Sequence, residues 1–327
     1  MSMIDATDPA AIAALTAVVA PRLAAWLPAT PLVTSAWLGG QHGAQVVAKL
    51  ENLQPTGSFK VRGAFARLLN LTPDERTAGV VTASSGNHGA AVAYAAQALG
   101  LAATVVVPVG VAAAKLAGMQ RCGADVRLVG DDSHDAEVAA RALADATGRV
   151  YVSPYNDPWV IAGQGSLAHE LLAQSAPLDL VIIAVGGGGL IAGVAATLRA
   201  RWPGVTIIGA QPAASAVMYH SLAAGRIVGH TAAPTLSDGT AGGVDEDSIT
   251  LPLCQRLVDA IVCVDEHEIA AALRYGIADL RVVAEGAAGV ALAAAARPGS
   301  IPRGSRAAVV ICGGNIDLPR LAAVLAG

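Results

Sequence analysis

The chain of 327 residues contains only three lysines, Lys49, Lys60 and Lys115, and one of them is unusually placed. Lys60 lies in Glu51-Asn52-Leu53-Gln54-Pro55-Thr56-Gly57-Ser58-Phe59-Lys60-Val61-Arg62-Gly63-Ala64, after a Pro/Gly turn and at the expected start of a helix. A lysine amine forms a Schiff base with an aldehyde cofactor, and partial desolvation makes it nucleophilic near neutral pH. Spacing alone is met more simply by a surface lysine opening a helix. A second group, Thr82-Ala83-Ser84-Ser85-Gly86-Asn87-His88-Gly89-Ala90, follows an apolar run. It sets two hydroxyls, an amide and an imidazole where a strand ends and a helix begins. Backbone N–H groups there point outward and suit a carboxylate or another anion. A Ser/Asn helix cap would use the same residues.

A third group is Val185-Gly186-Gly187-Gly188-Gly189-Leu190-Ile191-Ala192-Gly193. Four glycines between a buried strand and a helix let the backbone wrap a phosphate with its N–H groups as donors. Gly187, Gly189 and Ala192 also fit the dinucleotide fingerprint. That fingerprint needs a ribose-binding acid about 20 residues later, where this chain has Gly209-Ala210-Gln211-Pro212. A phosphate on a smaller cofactor fits better, and a tight structural turn is the bland alternative. The fourth group, Val309-Val310-Ile311-Cys312-Gly313-Gly314-Asn315, is again a strand ending in glycines. Cys312 is either a small buried hydrophobe or a weak hydrogen-bond partner for a ligand. Ligands of open α/β sheets gather at strand carboxyl ends, so the last three groups should converge on one crevice.

The elements that must position them are legible as a pattern. Gly79–Thr82, Ala103–Val107, Asp125–Val129, Leu180–Val185, Thr206–Gly209 and Ala307–Cys312 read as strands covered on both faces. Asn87–Leu99, Ala112–Arg121, Ser133–Thr147, Gly163–Ala173 and Leu190–Arg201 read as helices, with Gly100, Gly123 and Gly148 at expected C-caps. The alternation predicts an α/β protein with two open parallel-sheet domains. Ala291–Ala296 reads as buried helix.

Composition closes off several classes. With 54% hydrophobic and 14% charged residues the chain is not intrinsically disordered. A net charge of −4, without a Lys/Arg run, argues against a nucleic-acid partner. Residues 180–198 have the length of a membrane span, but Gly186 to Gly189 would break a spanning helix, so no membrane partner is expected. Cys122, Cys254, Cys263 and Cys312 form no C-x-x-C pair, and Met-Ser-Met-Ile-Asp does not open like a signal peptide. A cytoplasmic protein with reduced thiols is expected. His42, His88, His134, His169, His220, His230 and His267 form no metal motif, and Asp265-Glu266-His267-Glu268 reads as a solvated helix start.

The four groups, in this order, resemble the fold-type II pyridoxal-phosphate enzymes, specifically the serine/threonine dehydratase and serine racemase family. Gly57-Ser58-Phe59-Lys60-Val61-Arg62-Gly63-Ala64, Ser84-Ser85-Gly86-Asn87-His88-Gly89 and the tetraglycine loop carry the resemblance, which runs from Thr30 to Asn315. It implies a tryptophan synthase beta-like fold, with a large cofactor-binding domain of residues 1–76 and 157–327 and a small domain, 77–156, inserted in it. It implies pyridoxal 5'-phosphate on Lys60, Phe59 beside the ring, Asn87 on the ring hydroxyl, and Gly186, Gly187, Gly188 and Gly189 on the phosphate. Cys312 would face the pyridine nitrogen. Ser84, Ser85, Asn87 and His88 would take the substrate carboxylate. Lys60 would remove the Cα proton, with the cofactor phosphate protonating the departing hydroxyl. The product would be a 2-oxo acid plus ammonia.

L-Threonine or L-serine is the expected small-molecule substrate, and a homodimer the expected assembly. The rivals are a racemase, with Ser85 as the base on the second face, and a dehydratase for 3-hydroxyaspartate or phenylserine. A nicotinamide oxidoreductase would leave Lys60 unexplained, and a non-catalytic binding protein would not need the reactive groups. The chain departs from relatives with a divalent-cation site, which place a Glu-Pro pair and a following acid where Gln211-Pro212 and Val217 stand. No metal is therefore expected. With the sequence ending at Gly327, feedback control through the C-terminal regulatory domain of biosynthetic threonine dehydratases is not expected.

Overall fold

A computed structural model describes residues 5–111, 113–229 and 233–327, with the side chains of 113–115 left aside. His230, the first residues of the chain, Ala112 and the Lys115 side chain thus lie outside the described residues.

Ten strands are described: β1 (Leu32–Thr34), β2 (Gln45–Leu50), β3 (Val80–Ala83), β4 (Ala103–Val107), β5 (Asp125–Leu128), β6 (Val150–Tyr151), β7 (Leu180–Ala184), β8 (Thr206–Pro212), β9 (Ala260–Val264) and β10 (Arg306–Ile311). They form two sheets, one ordered β1-β2-β10-β7-β8-β9 and the other β5-β4-β3-β6. Every pairing is parallel except β1 with β2. The parallel-sheet α/β architecture expected from the sequence is present.

Each of the six expected strands is found, with β8 running on to Pro212. β1, β2, β6 and β9 are additional. β6 is only two residues long, whereas β9, Ala260-Ile261-Val262-Cys263-Val264, is a continuous apolar run that the fold leaves mostly half-exposed. The helix expected at Gly163 begins earlier, at Pro158. Asp157 caps it by accepting from the N–H groups of Trp159 and Val160, and proline suits its first position. Gly100 and Gly148 are left-handed C-caps, and Asp265 closes a capping box with Glu268. Residues 180–198 resolve into β7, a glycine turn and most of the helix Gly189–Arg201. Among the described residues no helix is long and apolar enough to cross a membrane.

The main core packs helices against both faces of the six-stranded sheet, and β7 is wholly buried. The helix Pro158–Gln174 meets Gly189–Arg201 at very short range. A Cβ on Gly193 would lie 2.1 Å from the Ile161 carbonyl oxygen, so only glycine permits the approach.

The helix Lys60–Leu69 is anchored by a buried ion network. Arg62 donates to both oxygens of Glu51, at 2.7 and 2.8 Å, and pairs with Glu170 at 2.7 Å. Lys49 Nζ donates to Glu170 at 2.6 Å, to the Thr30 carbonyl at 2.7 Å and to Gln174 at 2.8 Å. Burial of four charges is tolerable because each is paired and hydrogen-bonded; loss of one partner strands the others.

Candidate active site

β10 and β7 are neighbours in the middle of their sheet, so their carboxyl ends bring Cys312 and the glycine turn side by side. The segment carrying Lys60 is laid against the first of these ends. Phe59 N–H donates to the Cys312 carbonyl at 3.0 Å, Gly314 N–H to the Gly57 carbonyl at 2.9 Å, and Ser58 bridges Gly313. This short antiparallel clasp puts Lys60 next to Cys312, 252 positions away in the chain by residue number. Its Nζ donates to the Pro154 carbonyl at 2.9 Å and lies 5.2 Å from the Phe59 ring centre.

The second sheet supplies the opposite wall. β3 ends at Ala83, and the helix Asn87–Leu99 starts four residues later. Gly86, not a serine or Asn87, occupies the N-cap, and no side chain caps the helix. The Ser84 hydroxyl accepts from Gly86 N–H at 3.2 Å, and no side-chain hydrogen bond holds Ser85 among the described residues. The helix N-terminus therefore keeps its anion-binding capacity. Asn87 reaches across the crevice: its Nδ2 donates to both Glu285 oxygens, at 2.9 and 3.0 Å, and its Oδ1 accepts from Asn315 Nδ2 at 2.7 Å. The crevice expected from three converging motifs is thus assembled.

His88 is placed differently from an exposed carboxylate receptor. Its imidazole is buried, and Nε2 donates to the Val152 carbonyl at 2.9 Å. Burial and the nearby Lys60 charge push it down to about 3, so the ring is neutral. What His88 can offer an anion is its backbone N–H.

Burial likewise lowers the Lys60 amine to about 8, although the Glu285 carboxylate pulls the other way. Near neutral pH an appreciable fraction is unprotonated, as a proton acceptor requires. The other described lysine, Lys49, is locked in its ion network. Burial, with Glu285 nearby, pushes the Cys312 thiol well above its ordinary value and keeps it neutral.

The glycine turn has the form of an anion cradle. Gly188 has φ +87° and caps the 13-residue helix Gly189–Arg201. Among the described residues the N–H groups of Gly186, Gly187, Gly188 and Gly189 donate to no protein acceptor. A Cβ on Gly187 would lie 2.4 Å from the Tyr155 ring, and the Gly187 carbonyl accepts from the Thr250 hydroxyl at 2.6 Å. The Tyr155 hydroxyl in turn accepts from Asp245 N–H at 2.8 Å. The turn is held open on its N–H side and fixed on the other.

Glu285, Asn315, Tyr155 and Thr250 were not singled out from the sequence. Glu285 and Asn315 each meet Asn87 from about 200 positions away, a relation that no local pattern displays. Gln211 and Val217, where some relatives carry acids, are both buried, and Gln211 Oε1 accepts from Tyr219 N–H at 2.7 Å. No group of three or more His, Cys, Asp or Glu suited to a metal ion occurs among the described residues.

An amine beside a cradle of free backbone donors, with a buried neutral thiol at the next strand end, fits a cofactor bearing an aldehyde and a phosphate. Two buried hydroxyls on the lysine segment, Ser58 Oγ and Thr56 Oγ1, and the buried His88 Nδ1 have no protein partner, in keeping with a site that accepts a polar guest. Fold and site together define a parallel-sheet α/β protein with a crevice shaped for a phosphate-bearing cofactor.

The chain belongs to the pyridoxal-phosphate dependent enzymes, whose family pattern matches residues 26–313. It is 41% identical to the L-threonine ammonia-lyase of Thermotoga maritima over 289 residues, 88% of this chain and 72% of that protein. It is 37% identical to an L-threo-3-hydroxyaspartate ammonia-lyase of a Pseudomonas species over 308 residues, 94% of this chain and 96% of that one. The maize serine racemase structure superposes with a TM-score of 0.90 at 31% identity, covering 96% of each chain.

Proposed function

We propose that the protein is a pyridoxal-phosphate dependent ammonia-lyase that converts a β-hydroxy amino acid, L-threonine or L-serine first, to a 2-oxo acid and ammonia. The observation that carries this reading is Lys60, held between Pro154 and Cys312 beside the four unpaired glycine N–H groups. The similarity to the Thermotoga maritima L-threonine ammonia-lyase supports the substrate class.

In this reading the N–H groups of Gly186 to Gly189 hold the phosphate, Phe59 flanks the ring and Asn87 meets its hydroxyl. The neutral Cys312 thiol faces the pyridine nitrogen. The cofactor, when bound, supplies an electron sink for negative charge at Cα, a weaker one where its nitrogen has an uncharged partner. Ser84, Ser85 and the N–H groups opening the helix Asn87–Leu99 receive the substrate carboxylate, which orients the Cα–H toward Lys60. The Lys60 amine takes that proton, and the β-hydroxyl leaves as water after protonation. A water is taken up again as the amine departs as ammonia, so the net reaction needs no oxidant.

The two-domain division, residues 1–76 with 157–327 and residues 77–156, is part of the proposal. It is supported by a four-stranded sheet drawn wholly from residues 80–151. A cytoplasmic homodimer is also proposed, with four unpaired cysteines consistent with a reducing compartment.

The test is a panel of β-hydroxy amino acids, including 3-hydroxyaspartate and phenylserine, assayed for 2-oxo acid and ammonia. A racemase is the second reading, favoured by the likeness to maize serine racemase and by the unbonded Ser85. Measuring Cα inversion of L-serine in the same incubations separates the two. Inversion faster than deamination of every compound would overturn the lyase reading.

A further inference from the structure

Glu285 is a buried carboxylate in the middle of the site. It stands at the N-cap of the helix Gly286–Ala296 but does not cap it; the side chain turns away, to Asn87. The fold reserves space for it. Glu285 N–H donates to the Gly313 carbonyl at 3.0 Å, and a Cβ on Gly313 would lie 2.4 Å from Glu285 Oε1. Only glycine at that position, directly after Cys312, admits the carboxylate. Asn87 then links it onward: its Oδ1 accepts from Asn315 Nδ2, which also donates to the Thr56 carbonyl at 2.8 Å, on the segment that carries Lys60. One chain of hydrogen bonds thus joins Glu285, both walls of the crevice and the lysine segment.

Resting on the cofactor assignment above, we propose that Glu285 is a positioning residue. Its carboxylate fixes the amide of Asn87 for the cofactor hydroxyl and supplies the negative charge that favours the protonated form of the nitrogen on Lys60.

The charged and titratable groups around it are few. Lys60 faces it from the helix Lys60–Leu69, Cys312 from the end of β10, and Asp238 from the loop before Gly239. Asp238 is itself paired with Arg320 at 3.2 Å. Burial and the Asp238 charge raise Glu285 to about 7, while Asn87, the Asn315 backbone N–H and Lys60 oppose the rise. The carboxylate is therefore ionised above neutral pH, where the unprotonated lysine is also available.

The test compares the holoenzyme with Glu285→Gln and Glu285→Asp by titrating the yellow absorbance of the lysine-bound cofactor with pH. The Gln variant keeps the shape and loses the charge. Its yellow band should give way to the near-ultraviolet band at a pH about one unit lower than in wild type. The Asp variant keeps the charge but draws it back from Asn87. It should titrate near the wild-type midpoint and hold the cofactor about tenfold more weakly in equilibrium dialysis. A wild-type midpoint in the Gln variant, or equal shifts in both variants, overturns the proposal. Should the Gln variant not fold, as judged by melting, the Asp variant decides: wild-type cofactor affinity rejects the positioning role and weakened affinity supports it. None of these readouts needs a substrate, so failure of the lyase assay and failure of this inference are separate results.

Discussion

The two walls of the crevice rest on very different foundations. The wall with Cys312 and the glycine turn stands on β10 and β7, central strands sheathed by helices and buried along nearly their whole length. The wall with Ser84, Ser85 and Asn87 stands on a smaller sheet whose edge strand β5 is largely exposed. Its covering helix Ser133–Thr147 buries only Ala136, Ala140 and Ala144. Local stability follows buried apolar contact, so the second wall should open more readily than the first. The division suits the proposed chemistry. A cofactor that stays needs a fixed cradle, whereas a substrate carboxylate that arrives and leaves is better met by the more yielding side.

The sharpest break in this picture is at Lys60, which belongs to neither wall. Lys60→Ala should abolish both turnover and the yellow colour, and borohydride reduction with peptide mapping should mark Lys60 in wild type. A label on Lys49 or Lys115 would sink the assignment. Gly187→Ala should strike the rigid wall next. The new Cβ meets a Tyr155 ring tethered to Asp245, so cofactor affinity should fall by about 10- to 100-fold, the equivalent of overpacking by 1–3 kcal/mol.

Ser84→Ala should strike the yielding wall instead. It should raise KM by about tenfold, as one lost hydrogen bond to a charged group predicts, and leave cofactor affinity alone. If the two variants changed the same constant, the functional split between the walls would fail. Cys312→Ser should cost least, within about threefold, because it keeps a small neutral partner. Cys312→Asp should alter the ratio of 2-oxo acid release to Cα inversion more, since a carboxylate there would favour a protonated ring nitrogen. Exhaustive chelation, finally, should leave turnover unchanged, with Gln211 and Val217 in place of acids; a loss restored by magnesium would contradict it.

Buried titrating groups on the two walls also pull stability in opposite directions. His88, held down to about 3 from 6.5, favours the folded state above pH 6.5 and withdraws that support as pH falls toward 3. Glu285, raised from 4.5 to about 7, does the reverse: its contribution is full below 4.5 and is lost as pH rises through 7. The stability of His88→Gln relative to wild type should therefore improve on acidification and that of Glu285→Gln should worsen, as urea melts at pH 5 and 8 would record.

Much of this protein is legible in its sequence. Continuous apolar runs mark strands covered on both faces, because such strands have no solvent side to alternate with. Glycine turns after β7 and β10 declare backbone that approaches something closely, whereas Lys60 after Gly57-Ser58-Phe59 reads by spacing alone as a surface lysine, and only the fold buries its amine. β6 is too short to show such a run, β9 has one at Ala260–Val264 yet lies mostly half-exposed, and the early start at Pro158 turned on one capping aspartate. What only the tertiary structure decided are relations between distant charges. Arg62 reads as an ordinary helix residue until Glu51 and Glu170 enclose it. His88 reads as a carboxylate receptor until Val152 takes its imidazole. Glu285 is one acid among many until Gly313 makes room for it beside Asn87, 198 positions away. Local pattern encodes which face of an element is apolar, because that is a property of neighbours in sequence. The partner of a buried polar group is set by how the elements pack, and no short window contains it.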